Sequence, residues 1–206
     1  MTMKKVLSIA LIGFSMFASA QISLAGKANL IFPTGSPSWK NIKGTVNDAI
    51  EGTGKNNAGF NVGLSLKVGL PGSLYVMPEL YYTHFKNEFT TENTTFDVKS
   101  NRLDMPVLLG YNLLGDMLGV FVGPVASYNL SKDNTYNDFK ENVKNNFTVG
   151  YQFGAQLEIK KLIINARYEG AFSKDERNFI NKVSGTEIRY DNRPNLFLVG
   201  VGYKFK

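Results

Sequence analysis

The chain has 206 residues, no cysteine, and 23 basic against 17 acidic side chains, which gives a formal net charge of +6. The lack of cysteine excludes disulfides, thiolate metal sites, cysteine nucleophiles and a lipid-carrying cysteine at a cleavage point. The basic residues are scattered and form no stripe, so we expect no nucleic acid partner.

Residues 1–20 have the pattern of a secretory signal peptide. Lys4 and Lys5 precede an apolar run from Val6 to Phe17, and Ala18-Ser19-Ala20 is a small-x-small cleavage site. The alternative, a membrane-spanning anchor, would need about 20 apolar residues, and this run is shorter. We therefore predict a signal peptide at 1–20 and a single mature domain at 21–206.

Alternation of apolar and polar residues with a period of two recurs along the mature domain and predicts β-strands. Residues 60–70, FNVGLSLKVGL, and residues 147–159 show it most clearly. Six further segments fit less cleanly, at about 22–32, 74–85, 102–114, 118–130, 162–172 and 195–205. The eight segments are close to the 9–11 residues that a tilted membrane-spanning strand requires.

Short and long connections alternate between these segments. The short turns lie at 71–73, 115–117 and 160–161, and the long polar connections lie at about 33–59, 86–101, 131–146 and 173–194. An up-and-down sheet puts every second connection at the same end, as in outer-membrane barrels with short periplasmic turns and long external loops. An even strand count then places both termini on the periplasmic side.

The last segment indicates which face of the sheet meets lipid. In residues 196–205, LFLVGVGYKF, one face carries Phe197, Val199, Val201, Tyr203 and Phe205, and the other carries Gly200, Gly202 and Lys204. Lipid would contact the apolar face, closure would satisfy the backbone groups, and a lumen of eight strands is narrow enough to be filled by side chains. We predict an all-β, eight-stranded antiparallel up-and-down transmembrane β-barrel in a bacterial outer membrane, with short periplasmic turns and four long external loops.

A soluble, lipocalin-like barrel is the alternative fold, and its polarity would be the reverse. Residues 147–159 would then direct seven bulky apolar side chains into one small cavity, and the sequence shows no convincing helix, which a lipocalin-like barrel would be expected to have.

Pro78, Pro106 and Pro124 lie inside predicted strands. Proline has no backbone N–H to donate to the neighbouring strand, so we expect bulges or other irregularities there.

The motifs along the mature chain resemble the PorT-like outer-membrane β-barrel family of Bacteroidetes. They are MPELYY (77–82), LDMPVLLGYNLLG (103–115), VGPVASYNL (122–130), KKLIINARYEGAF (160–172) and LVGVGYKF (198–205). The resemblance covers nearly the whole mature chain and implies an outer-membrane barrel of eight strands. It implies little chemistry, because most members have no assigned activity. Some members are linked to protein secretion across the outer membrane, so the resemblance suggests such a role as one hypothesis.

The predicted register directs charged residues of both signs into the lumen. They are Lys27, Lys67, Glu79, Arg102, Asp104, Glu158, Arg167, Glu169 and Lys204. An uncompensated charge there would cost several kcal/mol, so we expect the residues to pair. We predict that Glu79, Arg102, Asp104, Glu158, Arg167 and Glu169 form a structural polar network. The alternative is an ion pathway or a ligand pocket.

No pattern predicts a catalytic, cofactor or metal site. His84, the one histidine, would need a serine and an orienting acid for hydrolysis, and nothing pairs it with Ser127 or Ser131. Its predicted position is on the lipid side. GTGK at 52–55 lacks the spacing of a phosphate loop, and the acidic residues at 133–141 lack that of a calcium loop.

The sequence therefore predicts a non-enzymatic, monomeric barrel without a cofactor. Its expected partners are outer-membrane lipids and, through its loops, a component of an envelope or secretion complex. A small channel for ions or solutes is the first alternative, and a lipid-modifying enzyme acting through His84 is the second.

Overall fold

The fold was analysed in a computed structural model of the chain. It describes residues 21–34, 38–43, 51–53, 55–91, 94–130, 135–136, 139–143, 146–173, 176–181, 187–191 and 195–205. The predicted signal peptide lies outside the described residues and stays a prediction. Within them, no helix is long and apolar enough to span a membrane.

Eight long antiparallel strands form a closed barrel. They are β1 (Ile22–Thr34), β2 (Gly59–Gly69), β3 (Leu74–Thr91), β4 (Thr94–Asn112), β5 (Leu118–Asn129), β6 (Phe147–Ile159), β7 (Leu162–Ala171) and β8 (Asn195–Lys204). Each strand pairs with the next along the chain, and β8 pairs with β1. The predicted eight-stranded fold is confirmed.

The apolar face of each strand points outward, as the sequence predicted. In β8, Val199, Val201 and Tyr203 are exposed while Gly200 and Gly202 are buried in the lumen. Because an apolar exterior around a polar interior is the reverse of a lipocalin-like barrel, that alternative is wrong.

Glycines occur in the lumen where a large side chain of the neighbouring strand lies across the backbone. A Cβ atom on Gly200 would meet the Asn29 amide, and one on Gly63 would meet Tyr81. A Cβ atom on Gly154 would meet the backbone and Cβ of Arg167. The missing side chains therefore make room for the polar residues that fill the interior.

Three short connections join the strands at one end of the barrel, which we call the turn end. They span residues 70–73, 113–117 and 160–161. Gly72, Ser73, Gly115 and Lys160 adopt positive φ angles, which tight reversals favour. The other end, which we call the loop end, carries the long connections.

The long connections contain more strand than the sequence predicted. The segment expected as a loop at 86–101 is mostly a continuation of β3 and β4. Seven further short strands are Ser38–Lys43, Glu51–Thr53, Lys55–Asn56, Thr135–Tyr136, Phe139–Val143, Glu176–Asn181 and Glu187–Asp191. Both faces of such strands can be polar, so they lack the apolar alternation by which the barrel strands were recognised.

Several of these short strands repeat the neighbour order of the barrel. The strands at 38–43, 187–191, 176–181, 139–143 and 135–136 adjoin β1, β8, β7, β6 and β5 in the chain, and they pair in that same order. The strand at 55–56, just before β2, pairs with β3. At the loop end the chain therefore continues the pairing order of the barrel wall.

The three prolines interrupt the ladder without shifting it. The β3–β4 register is the same before and after Pro78, and the β4–β5 register is the same on both sides of Pro106 and Pro124. In each of these two strand pairings, two consecutive pairs of residues beside the prolines do not make the regular backbone pairing. The expected irregularities are present, and they take the form of local gaps in pairing without a bulge.

Candidate functional site

All nine charged residues that the sequence directed into the lumen face inward. Seven of them are buried, and the side chains of Lys67 and Lys204, near the turn end, are partly exposed. They come from seven of the eight strands, because the period of two gives each strand one lumen face.

Glu79 on β3 is the centre of this arrangement. Its Oε1 accepts a hydrogen bond from Lys27 Nζ at 2.9 Å, and its Oε2 accepts one from Arg167 Nη1 at 2.6 Å. The Tyr81 hydroxyl also donates to Oε1, at 3.2 Å. The guanidinium of Arg167 lies 5.1 Å from the centroid of the Phe121 ring. One carboxylate on β3 thus binds two cations, one from β1 and one from β7.

A second group of charges lies between this centre and the loop end. Arg102 binds Asp104 Oδ2 through Nε at 3.0 Å and Glu169 Oε1 through Nη2 at 2.6 Å. Thr83 donates to the same Asp104 oxygen at 2.6 Å. The Arg102 guanidinium also lies 5.5 Å from the centroid of the buried Phe85 ring. Here two carboxylates share one guanidinium.

A third group lies at the turn end, and in it two cations share one carboxylate. Lys67 and Lys204 bind the two oxygens of Glu158 at 2.6 and 3.1 Å. Lys67 also lies 4.6 Å from the centroid of the Tyr75 ring. A recess of about 70 Å³ opens beside these residues and is also lined by Asn112 and other polar residues at the strand ends.

Two glutamines on β6 join the three groups. Gln152 accepts from Arg167 at 3.3 Å and donates to Glu169 at 2.8 Å, and Gln156 accepts from Lys27 at 3.1 Å and donates to Glu158 at 2.9 Å. Ion pairs and hydrogen bonds therefore run without a break from Thr83 to Lys204. We call this set of residues the lumen network.

The alternation in residues 147–159 puts both glutamines on the same face as Glu158, but nothing in the pattern assigns them a role. A side-chain amide has a donor and an acceptor, so it can accept from a cation and donate to a carboxylate. Which charges it meets depends on the stagger of the strands, and that is fixed by three-dimensional pairing. An inward glutamine two or four residues from another inward polar group was the only available signal.

Apolar side chains fill the lumen on either side of the central charges. Tyr75, Met77, Leu108 and Phe121 form one buried cluster, and Ile31, Leu196 and Leu198 form another. The network is thus enclosed by packed side chains. Such an arrangement fixes strands to one another.

The other candidate residues are not brought together. His84 points outward, where its Nδ1 lies 2.6 Å from Asn101 Oδ1 and its ring packs at 5.6 Å against Phe60. Ser127 points into the lumen opposite Asp104, so the barrel wall separates it from His84. Ser131, Asp133 and Gly54 lie outside the described residues. Within the described part of the chain, no group of three or more His, Asp or Glu residues could hold a metal ion.

Comparisons with known proteins agree with this architecture. A family model described as an outer membrane protein beta-barrel domain matches residues 19–174. The structure is similar to the outer membrane protein OprG of Pseudomonas aeruginosa, with 15% identity, a TM-score of 0.62, and coverage of 89% of this chain and 95% of that one. It is also similar to the outer membrane protein AlkL in lipid bilayers, with 12% identity, a TM-score of 0.56, and coverage of 90% and 91%.

At such low identity these similarities show a shared fold alone. A search of curated proteins found no match for this chain.

Proposed function

Since this chain belongs to the outer membrane protein beta-barrel domain family, we propose that its lumen is a closed, structural core and that it acts through the four long connections. The barrel itself makes it an integral outer-membrane protein. Proteins that share a fold differ in function chiefly through the loops that the rigid scaffold positions. The barrel would then serve as a rigid mount without enzymatic activity.

The observation that carries this proposal is the unbroken lumen network. Conduction of ions needs a water-filled path, whereas here paired charges and two apolar clusters occupy the interior. Hydrolysis at the rim needs a nucleophile near its base, whereas His84 and Ser127 lie on opposite faces of the wall. Among the residues that the structure describes, neither the channel nor the lipid-modifying enzyme has a comparable observation in its favour.

We further propose that the turn end faces the periplasm and that the loop end is external. Support comes from the uneven connections, because outer-membrane barrels have short periplasmic turns and longer external loops. Both termini would then be periplasmic. The continued strand pairing at the loop end would extend the external part of the protein beyond the membrane.

The first prediction tests whether the lumen is closed. Purified native protein in a planar lipid bilayer is expected to give no discrete current steps, because paired charges and apolar side chains occupy the described part of the lumen. The double variant Glu79→Ala/Arg167→Ala removes the central ion pair and is expected to give measurable steps. Leu80→Ala is the matched control, since Leu80 is adjacent in sequence but points outward. Reproducible steps from the native protein would overturn the closed-lumen proposal and favour the channel.

The second prediction concerns the partner. The succession of PorT-like motifs supports a place in an envelope or secretion complex, so in-cell crosslinking is expected to recover a recurring envelope protein. Shortening the segments 35–58 and 174–194 should abolish that crosslink while the barrel still assembles. Shortening the turn at 113–117 is the control and should leave the crosslink intact. Recovery of no protein above background would contradict the partner proposal.

A further inference from the structure

We infer that the lumen holds a tightly bound water molecule. The water would lie over Gly200 of β8 and bridge polar side chains of β1 and β7. This site is separate from the long connections and does not depend on the proposed function. Three buried polar atoms near the lumen centre carry the inference.

These three atoms have no hydrogen-bond partner in the described protein. They are Oδ1 of Asn29, Nδ2 of Asn165 and Nη2 of Arg167. Each residue is at most 3% exposed, so bulk solvent cannot satisfy them. A buried polar group without a partner destabilises the folded state, and native structures satisfy nearly all such groups with protein or ordered water.

The atoms belong to side chains that converge on one place. Gly200 of β8 is directly opposite Asn29 on one side and Asn165 on the other. Arg167 Nε donates to Asn165 Oδ1 at 3.0 Å, which ties these two residues together. The Arg167 guanidinium lies 5.6 Å from the centroid of the Tyr81 ring, and the Tyr81 hydroxyl donates its proton to Glu79.

The absence of a side chain on β8 explains why the groups remain unsatisfied. Where another strand would supply a polar side chain, β8 has Gly200, and the Asn29 amide oxygen lies over that backbone. A donor on β7 and an acceptor on β1 thus face each other across one intervening strand. Two polar groups separated by more than a direct hydrogen bond are commonly bridged by a water.

The chemistry of the unmet groups selects water over an ion. Of the seven buried charges, Glu158 is bound by two lysines at the turn end. The other six balance, with Lys27, Arg102 and Arg167 against Glu79, Asp104 and Glu169, so the charges nearest the site leave no excess for an ion to neutralise. Two donors and one acceptor match a water, which accepts twice and donates to Asn29. Buried waters typically make about three hydrogen bonds to groups of this kind.

The bridge would close a belt of polar contacts around the lumen. Asn29 Nδ2 already donates to Asn61 Oδ1 on β2 at 2.6 Å, and Arg167 already binds Glu79 on β3. A water between Asn29 and Asn165 would connect those two halves. It would act as the missing side chain of β8.

A crystal structure of the native protein grown with bromide at a resolution finer than about 2 Å tests the inference. We expect a density peak about 2.7–3.2 Å from all three atoms, the usual hydrogen-bond range, without anomalous signal. Asn165→Leu should abolish the peak, whereas the control Asn112→Leu, at the turn end, should retain it. A bromide signal at the site would show an anion and overturn the inference. A direct bond between the two amides, or no peak, would also overturn it.

Discussion

Replacing Glu79 with alanine is expected to lower the free energy of unfolding by about 3–5 kcal/mol, the usual cost of breaking a buried ion pair by removing one partner. The side chains of Glu79, Lys27 and Arg167 are at most 1% exposed. The variant would therefore leave two cations in the lumen without a carboxylate. Denaturant titration of the barrel in phospholipid vesicles measures the difference.

Glu158→Ala is the matched control for Glu79→Ala. Glu158 also binds two cations, but Lys67 and Lys204 are 13% and 27% exposed and can be hydrated when it is lost. We expect a loss of no more than about 1 kcal/mol, as for exposed ion pairs. If the two variants lost equal free energy of unfolding, burial of the cations would not explain the cost of Glu79→Ala.

A triple variant separates charge from packing at the same position. Glu79→Leu/Lys27→Met/Arg167→Met replaces all three charges with apolar side chains of similar length. Removal of a whole buried ion group is often neutral or stabilising, so much of the loss in Glu79→Ala should be recovered. Failure to recover would indicate that the hydrogen bonds of Lys27 and Arg167 to Gln156 and Gln152, which the variant also removes, contribute more than the ion pairs.

The barrel strands could be predicted from the sequence because their two faces meet different surroundings. In β2 and β6 the apolar residues contact lipid and the small or polar residues fill the lumen, so a period of two is visible in the letters. The outer parts of β3 and β4 were missed because that contrast of surroundings is lost in a polar segment such as residues 86–101. Proline at 78, 106 and 124 was recognised as a defect, but the form of the defect depends on neighbouring strands.

The inward position of the charges was predictable from the same alternation, whereas their partners were not. Glu79 and Arg167 are 88 residues apart in the chain and meet across the lumen. Their contact depends on the stagger of eight strands around a closed wall. A sequence read alone gives the face of each residue but not its height along the barrel axis.

The lumen glycines link the pairing of the strands to the positions of the charged side chains. Arg167 reaches Glu79 from a stretch of β7 that lies directly opposite Gly154 on β6. A larger residue at 154 would occupy the space that the Arg167 backbone and Cβ now use. The position of the lumen network therefore depends on where side chains are absent as well as on where charges are present.

Gly154→Ala is accordingly expected to lower the free energy of unfolding by about 2–3 kcal/mol, the upper part of the range for overpacked sites. The added Cβ would clash with the Ala166 carbonyl oxygen and lie 2.8 Å from Cα and Cβ of Arg167. These are backbone-linked atoms that cannot rotate away, so β6 and β7 must move apart and carry Arg167 with them. The same vesicle titration measures the effect.

Gly69→Ala is the control for this substitution, because it is a strand glycine at the turn end with no atom closer than 3.5 Å to an added Cβ. Its effect should stay within about 0.5 kcal/mol, as for substitutions away from packed features. A second control, Gly154→Ala combined with Arg167→Ala, retains the clash with the Ala166 carbonyl and the Arg167 backbone. If Gly154→Ala acts by displacing the wall, adding it to Arg167→Ala should still cost stability. If it costs nothing there, the effect of Gly154→Ala lies in the orientation of the Arg167 side chain.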